Sequence, residues 1–382
     1  MNALFNNYSR RPIRIVEGKG TLVKDENGKQ YLDFTSGIAV CCLGHAHPAL
    51  VKTIQEQSEK IWHTSNLFES PGQIALAEKL VKDTHLAHAL FCNSGAEANE
   101  AAIKLARKHT GKHHIITFEN SFHGRTFGAM SATGQEKIQK GFGPMVDLFT
   151  YLPFNDAQAL KEAVDETVGA IMLEIIQGEG GIHEVTEEFA QAINEICENS
   201  DVLLIVDEVQ TGIGRTGTRF AFEQTSLKPD IISMAKGLGG GFPIGGILGT
   251  AELYETFGPG SHGTTYGGNP LAVAVAQTVI DHVFDSSFLN EVQEKSQYLI
   301  KKLNEALPKE FEIRGKGLLI GVDCGKEVAS LVGKAEEEGL LLVAAGPQVL
   351  RLLPPLTVTN EEIDQAVAIL KKILVEETSP IS

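Results

Sequence analysis

The chain has 382 residues, 42% of them apolar, and a formal net charge of −16. That length buries a large core and suits two domains, while the charge repels polyanions and offers nucleic acid no basic surface. No run reaches the ~20 apolar residues of a membrane span, so no membrane partner is expected.

The opening stretch "MNALFNNYSRRPIRIVEGKG" lacks the apolar core of a secretion signal. The five cysteines (Cys41, Cys42, Cys92, Cys197, Cys324) are odd in number and show no CxxC spacing. Both observations lead to the expectation of a reducing, cytoplasmic setting in which the cysteines pack. "GTLVKDENGKQYLDF" reads as a strand pair turning at Asn27-Gly28, and "YLDFTSGIAV" as a strand. "PALVKTIQEQSEKIW" predicts a helix, "HALFCN" a strand, and "EANEAAIKLARKH" a helix closed by Gly111.

Next come "HHIITFEN", "GAIMLEI", "DVLLIVDE" and "PDIISMA", short continuous apolar runs of the kind buried on both faces of a mostly parallel sheet. Helices such as "EEFAQAINEICEN" lie between several of them, which argues for a doubly wound α/β layer whose ligands bind beyond the carboxyl ends of the strands. After residue 284 the pattern changes to the long helices "NEVQEKSQYLIKKLNEAL" and "NEEIDQAVAILKKILVEE", with "LLIGVDC" and "VLRLLPP" between them. The expected organisation is a large α/β domain over 46–284 and a smaller α+β domain formed by 1–45 and 285–382.

Chemistry-bearing motifs stand where strands should end. In "FCNSGAEANEAAIKLAR", Ser94 and Glu97 form a capping box, and Gly95 and Ala96 keep the first helical turn small. By itself this is a well-capped helix; the small residues would also let an anion such as phosphate approach free N–H groups at the positive end of the dipole. "NSFHGRTFGA" packs Phe122 and Arg125 into a loop, where Arg125 is either a surface cation or a planar fork for a carboxylate. "LLIVDEVQTGIGRTG" drives an apolar strand into Asp207 and Glu208, a carboxylate that needs a cationic partner unless the strand has reached solvent. The glycines 212, 214 and 217 match a dinucleotide fingerprint only formally, because they do not open a helix directly after the strand. His45-Ala-His47 and His113-His114 lack the further ligands a zinc site needs, so no metal is expected.

Lys236, in "PDIISMAKGLGGGFPIGG", follows an apolar strand and precedes glycines that leave room around its amine. It is either a lysine snorkelling to the sheet edge or a desolvated nucleophile. Paired with Asp207 at a neighbouring strand tip and a phosphate-ready helix cap, it suits pyridoxal phosphate, which needs an amine, an anion at its ring nitrogen and a phosphate cradle.

Nine stretches resemble the class III, ornithine-type aminotransferases of fold type I, and stand in that family's order: "TSGIAV", "LGHAHP", "CNSGAEANEAAIKLAR", "FHGRTFGA", "QGEGG", "VDEVQTGIGRTG", "AKGLGGGFPIGG", "GSHGTTYGGNPLA" and "RLLPPLTVT". The resemblance runs nearly end to end and is nearest to the acetylornithine-type enzymes. It implies an α/β pyridoxal 5′-phosphate-dependent transferase, active as a homodimer with shared sites. By that resemblance Lys236 holds the cofactor and moves the proton, and Asp207 faces the ring nitrogen. Phe122 and Val209 cover the ring faces, Gln210 meets the phenolic oxygen, and Gly95 with Ala96 holds the phosphate. Glu208 is counted with the cofactor residues. Thr265 reaches the phosphate across the dimer, and Thr264 and Arg125 meet substrate. Arg351 binds the α-carboxylate of glutamate, with Glu179 masking it in the other half-reaction.

The implied reaction passes an amino group from N2-acetyl-L-ornithine to 2-oxoglutarate, giving N-acetyl-L-glutamate 5-semialdehyde and L-glutamate in arginine biosynthesis. Ile38 stands where ornithine enzymes of the family usually have tyrosine, which argues against free ornithine. N-Succinyldiaminopimelate, ornithine and 4-aminobutyrate aminotransferases, an aminomutase, and a non-catalytic relative of the same fold remain alternatives. Ile175 departs from the proline many relatives carry after the glutamate of "LEIIQGEGG".

Overall fold

The computed structural model describes residues 3–376. Near the N-terminus, β1 (Ile15–Lys19), β2 (Leu22–Asp25) and β3 (Gln30–Asp33) form an antiparallel meander. Its second turn holds Asn27 and Gly28 in a loop closed by Asp25 and Lys29, with Gly28 at φ +85° and the Asp25 carboxylate accepting from the N–H groups of Asn27 and Lys29. The strand expected from Tyr31 to Val40 stops at Asp33. Its Oδ1 accepts from Thr35 N and Ser36 N, which turns the chain into a tight left-handed coil over Ser36–Ala39.

The large sheet draws on β4 (His88–Cys92), β5 (His114–Phe118), β6 (Phe149–Leu152) and β7 (Val168–Glu174). Past a two-residue ladder, β8 (Ile176–Gln177) with β9 (His183–Glu184), it continues with β10 (Leu203–Asp207), β11 (Ile231–Met234) and β12 (Gly245–Gly249). The strand order is β4-β12-β11-β10-β7-β5-β6, and β12 alone runs against the others. Every residue of β7, β11 and β12 is buried, as the unbroken apolar runs require of a sheet covered on both faces. Sequence reading passed over β6 and β12. The latter is disguised by glycines that cannot be replaced: a Cβ on Gly245 would stand 2.5 Å from Ser94 O, and one on Gly246 2.7 Å from Leu90 O.

One helix does most to position the site. Gly95–Thr110 starts at the Ser94 cap, ends at Gly111 with φ +68°, and lays Ala98, Ala101, Ala102 and Ala106 against Ile205, Ile231 and Ile247 of the sheet. Its alanine face brings the helix start close to the strand tips.

The C-terminal part contributes β13 (Glu312–Lys316), β14 (Leu319–Asp323), β15 (Leu340–Leu341), β16 (Val343–Ala345) and β17 (Val349–Leu352). A second sheet has the order β13-β14-β17-β16, and β15 joins the N-terminal meander through the parallel pair Leu32 and Leu340. The helices Ser286–Ala306 and Asn360–Lys371 match the two amphipathic stretches, the latter opened by a complete Thr359/Glu362 capping box. Ile175, between β7 and β8, is buried, and its carbonyl accepts from Val185 N, so the chain passes this point without proline. No helix among the described residues is long and apolar enough to cross a membrane.

Ile205 lies fully buried at the centre of β10, between the Gly95–Thr110 helix and its strand neighbours. Ile205→Ala should lower unfolding free energy by about 2–5 kcal/mol, read as a shifted denaturant midpoint at fixed protein concentration.

Candidate active site

A cavity of about 420 Å³ opens at the carboxyl ends of the parallel strands. Asp207 ends β10 beside it with 3% exposure. A carboxylate so buried must be satisfied: Oδ2 accepts from Asn99 Nδ2 at 2.8 Å and faces His123 Nδ1 at 2.7 Å, while Oδ1 accepts from Val209 N at 2.9 Å. Burial alone would depress His123, but the hydrogen bond and charge of Asp207 outweigh it and hold the imidazole above its ordinary value. The far nitrogen of His123 is buried without a partner among the described residues, so the ring's hydrogen bond goes to Asp207.

Lys236 follows β11 at φ +39°, an uncommon conformation for a residue with a side chain. Gly237, Gly239 and Gly240 follow it in a tight 3-10 turn, with Gly240 left-handed. Burial pushes the Lys236 amine down to about 8; Glu179 pulls the other way, and Arg351 adds to the depression. The result is an amine that, though still mostly protonated near neutral pH, has a neutral fraction far larger than an ordinary lysine, the form that nucleophilic attack requires.

At the opposite wall, Ser94 Oγ accepts from Glu97 N, and the Glu97 carboxylate reaches back to Asn93 N. Gly95 N and Ala96 N have no acceptor among the described residues and open on the cavity. The lack of side chain at Gly95 is required: a Cβ there would stand 2.7 Å from Val209 Cγ1. Phe122 and Val209 both line the cavity, and Arg125 stacks its guanidinium 5.7 Å from the Phe122 ring centroid. An amine, a held anion and two free helix N–H groups around one cavity fit pyridoxal phosphate.

Beyond this cavity lies a second polar one of about 440 Å³, which shares Phe122 and Arg125 and includes Glu179. There Glu179 Oε1 meets Arg351 Nη1 at 2.6 Å. Arg351, on β17, is 1% exposed and also donates to Gly178 O and, at 3.0 Å, to Gln210 Oε1. Burial would raise the Glu179 carboxyl, yet the Arg351 charge prevails and keeps it below its usual range. The arginine is therefore covered and charge-neutralised.

Three expected residues fall elsewhere. Glu208 does not line the cavity: Oε2 takes the Thr211 hydroxyl at 2.6 Å and Oε1 the Phe222 N–H at 2.8 Å, so it braces the loop behind the strand. Thr264 borders a neighbouring cavity, where its hydroxyl oxygen accepts from Asn93 Nδ2 and Gly267 N. Thr265 is exposed on the surface. Conversely, His123, Asn99 and Glu174 escaped sequence reading. Glu174 ends β7 directly beside Asp207 in the sheet register. Its carboxylate accepts from Phe122 N and Gly178 N, and burial pushes its pKa up to about 7. The signal was available, since Glu174 closes an apolar strand just as Asp207 does. Among the described residues no group of three or more His, Cys, Asp or Glu is placed to hold a metal ion.

The Lys236 environment has a direct readout. With cofactor removed, acylation of Lys236 followed by peptide mass spectrometry should show a midpoint near the depressed value of about 8, whereas exposed lysines follow ~10.4. A Lys236 profile matching the surface lysines would contradict the desolvation described.

A family model described as aminotransferase class-III matches residues 4–374. An acetylornithine aminotransferase from Bacillus cereus is 54% identical over 374 residues, covering 97% of each chain, and one from Halalkalibacterium halodurans is 55% identical over 377 residues, covering 98% of each. Among solved structures, an ornithine aminotransferase from Toxoplasma gondii superposes with a TM-score of 0.93 at 33% identity, covering 99% of this chain and 94% of its own. An N-acetylornithine aminotransferase from Stenotrophomonas maltophilia does so at 0.84 and 38%, covering 97% of each. The sheet order, the cavity-lining lysine with its buried aspartate and the match over nearly the whole length agree: the chain belongs to the class-III aminotransferases, pyridoxal phosphate-dependent enzymes of fold type I.

Proposed function

We propose that this aminotransferase takes N2-acetyl-L-ornithine as amine donor and 2-oxoglutarate as acceptor, releasing N-acetyl-L-glutamate 5-semialdehyde and L-glutamate in cytoplasmic arginine biosynthesis. The observation that carries the reading is the covered Arg351: a pocket that hides one arginine behind Glu179 and leaves Arg125 open is suited to a donor with a single carboxylate. The names of the acetylornithine relatives at 54–55% identity support the same donor.

Pyridoxal phosphate would be held by the Lys236 amine, by Asp207 at the ring nitrogen, by Phe122 and Val209 on the ring faces, by Gln210 at the phenolic oxygen, and by Gly95 N and Ala96 N at the phosphate. When bound, it supplies the electron sink for the charge left when the amine-bearing carbon loses its proton. Asp207 is fixed at the strand tip because His123 and Asn99 both hold its Oδ2. Lys236, depressed into the physiological range, can take a proton from one carbon and return it to another. Arg125 holds the far carboxylate of either substrate in its planar fork. In the acceptor half, Glu179 must swing away so that Arg351 can receive the α-carboxylate. Glu179 at the rim and Arg351 behind it are placed for that exchange.

We also infer a homodimer with shared sites, in which the exposed Thr265 reaches the phosphate of the neighbouring subunit. Exposed Trp62, Leu67, Phe68, Ile74 and Tyr266 supply apolar surface suited to a second copy. We further propose a large domain over 46–284 and a smaller one formed by 1–45 and 285–382, a division supported by β15 completing the N-terminal sheet.

Two experiments test this. In single-turnover assays, Arg351→Ala should slow the 2-oxoglutarate half-reaction by about 10- to 150-fold while leaving the acetylornithine half nearly unchanged, the loss of one charge-assisted pair. Glu179→Ala should improve glutamate and weaken acetylornithine. Equal slowing of both halves by Arg351→Ala refutes the exchange, and a donor panel including N-succinyldiaminopimelate, ornithine and 4-aminobutyrate decides the substrate. Second, mixing inactive Lys236→Ala subunits with subunits inactivated at Thr265 should restore activity, since one hybrid site is intact. Absence of recovery after demonstrated subunit exchange excludes the shared site.

A further inference from the structure

The segment from Asp33 to His45 is a loop whose two ends are joined by a hydrogen bond, His45 Nε2 lying 2.7 Å from Asp33 Oδ2. The Asp33 side chain is 5% exposed, and its other oxygen accepts from Thr35 N, Thr35 Oγ1 and Ser36 N at 2.9, 2.6 and 3.0 Å. One carboxylate thus closes the neck and starts the turn that follows.

That turn is strained. Ser36, Gly37, Ile38 and Ala39 have φ of +47°, +66°, +66° and +62°, four consecutive left-handed residues of which one is glycine and one is β-branched. Such a run persists only where its surroundings determine it. The determinants are visible: Ser36 Oγ donates to Leu353 O at 2.6 Å, Leu353 N to Phe34 O at 2.7 Å, and Leu356 N to Cys42 O at 2.7 Å. His45 is itself fixed from behind. Its N–H and C=O pair with Gly20, and a Cβ on Gly18 would stand 2.8 Å from His45 Cβ.

The loop touches the chemistry at two points. Val40 lines the cavity that holds Lys236, and Cys42 Sγ donates to the carbonyl of Gly237, the residue after Lys236. Ile38, 41% exposed at the crown, is presented outward by the same turn. A shift of the neck would move both contacts together.

We propose that Asp33 and His45 are positioning residues for donor selectivity: their hydrogen bond clasps a strained left-handed loop, fixing Val40 at the cavity wall and Cys42 against the Lys236 turn. The proposal rests on the amine-donor reading above for its choice of substrates, but the clasp itself can be judged without it.

The test uses the cofactor-loaded enzyme and its variants Asp33→Asn, His45→Gln, and Asp33→Asn combined with Ile38→Gly. Amide hydrogen exchange should quicken by about 10-fold or more over residues 34–44 in Asp33→Asn, with β10 and β14 unchanged. His45→Gln, which can still hydrogen-bond Asp33, should show a smaller increase. Adding Ile38→Gly should restore much of the protection, because glycine adopts φ near +66° without a Cβ clash. In steady state, Asp33→Asn should narrow the kcat/KM preference for acetylornithine over 4-aminobutyrate by about 10-fold, through KM.

Unchanged exchange over 34–44 overturns the clasp. So does a uniform increase that includes β10 and β14, which marks general destabilisation, or a local increase that Ile38→Gly fails to reduce. Local loosening with an unchanged donor preference overturns the selectivity role. If the parent enzyme does not prefer acetylornithine, the substrate reading fails, while the exchange data still decide the clasp.

Discussion

A carboxylate buried at the tip of β10 sets the terms for everything around it. A carboxyl group with 3% exposure needs hydrogen-bond partners in place of water, and the fold supplies them from three places: Asn99 on the helix, His123 on a loop, and the backbone of Val209. To bring Asn99 close, the helix must begin next to the strand tips, which explains its alanine face and the glycines of β12 beneath the Ser94 cap. To bring His123 close, the loop after β5 must fold back over β10. That same fold carries Phe122 and Arg125 to the cavity, so the donors of one buried anion also build the walls of the site.

Glu174 extends this logic one strand further. It lies beside Asp207 in register and uses its two oxygens to hold Phe122 N and Gly178 N. The loop of Phe122 and the loop of Glu179 are thereby tied to one carboxyl group. Because burial pushes that group up to about 7, the two carboxyls at adjacent strand tips need not both be charged.

Local patterns made much of this legible. Apolar runs marked the strands, Ser94 with Glu97 marked the helix start, and Asp207 and Lys236 stood out as charges at the ends of apolar text. What escaped depends on contacts between distant parts of the chain. His123 and Asn99 gain their meaning 84 and 108 residues away, at Asp207. The left-handed coil at 36–39 was hidden because "TSGIAV" has extended propensity, and only Gly37 hints at positive φ. Glu208 could have been assigned correctly from strand geometry alone: adjacent residues at a strand end point to opposite faces, so a pocket-facing Asp207 turns Glu208 away. Thr264 and Thr265 entered by family resemblance, and within one chain neither borders the cavity of Lys236.

Arg125 is exposed at the mouth of the site and has no carboxylate partner among the described residues. On a chain of net charge −16 this matters for encounter as well as for binding. Anionic substrates approach against a long-range repulsive field, and the cations that line the site, Arg125 with Lys137 and Lys236, offer attraction mainly within about one Debye length, ~8 Å at physiological ionic strength. Added salt therefore screens the distant repulsion more than the close attraction. Capture of a dianion is slowed by the body of the protein and assisted at its doorway, so moderate ionic strength favours the productive collision.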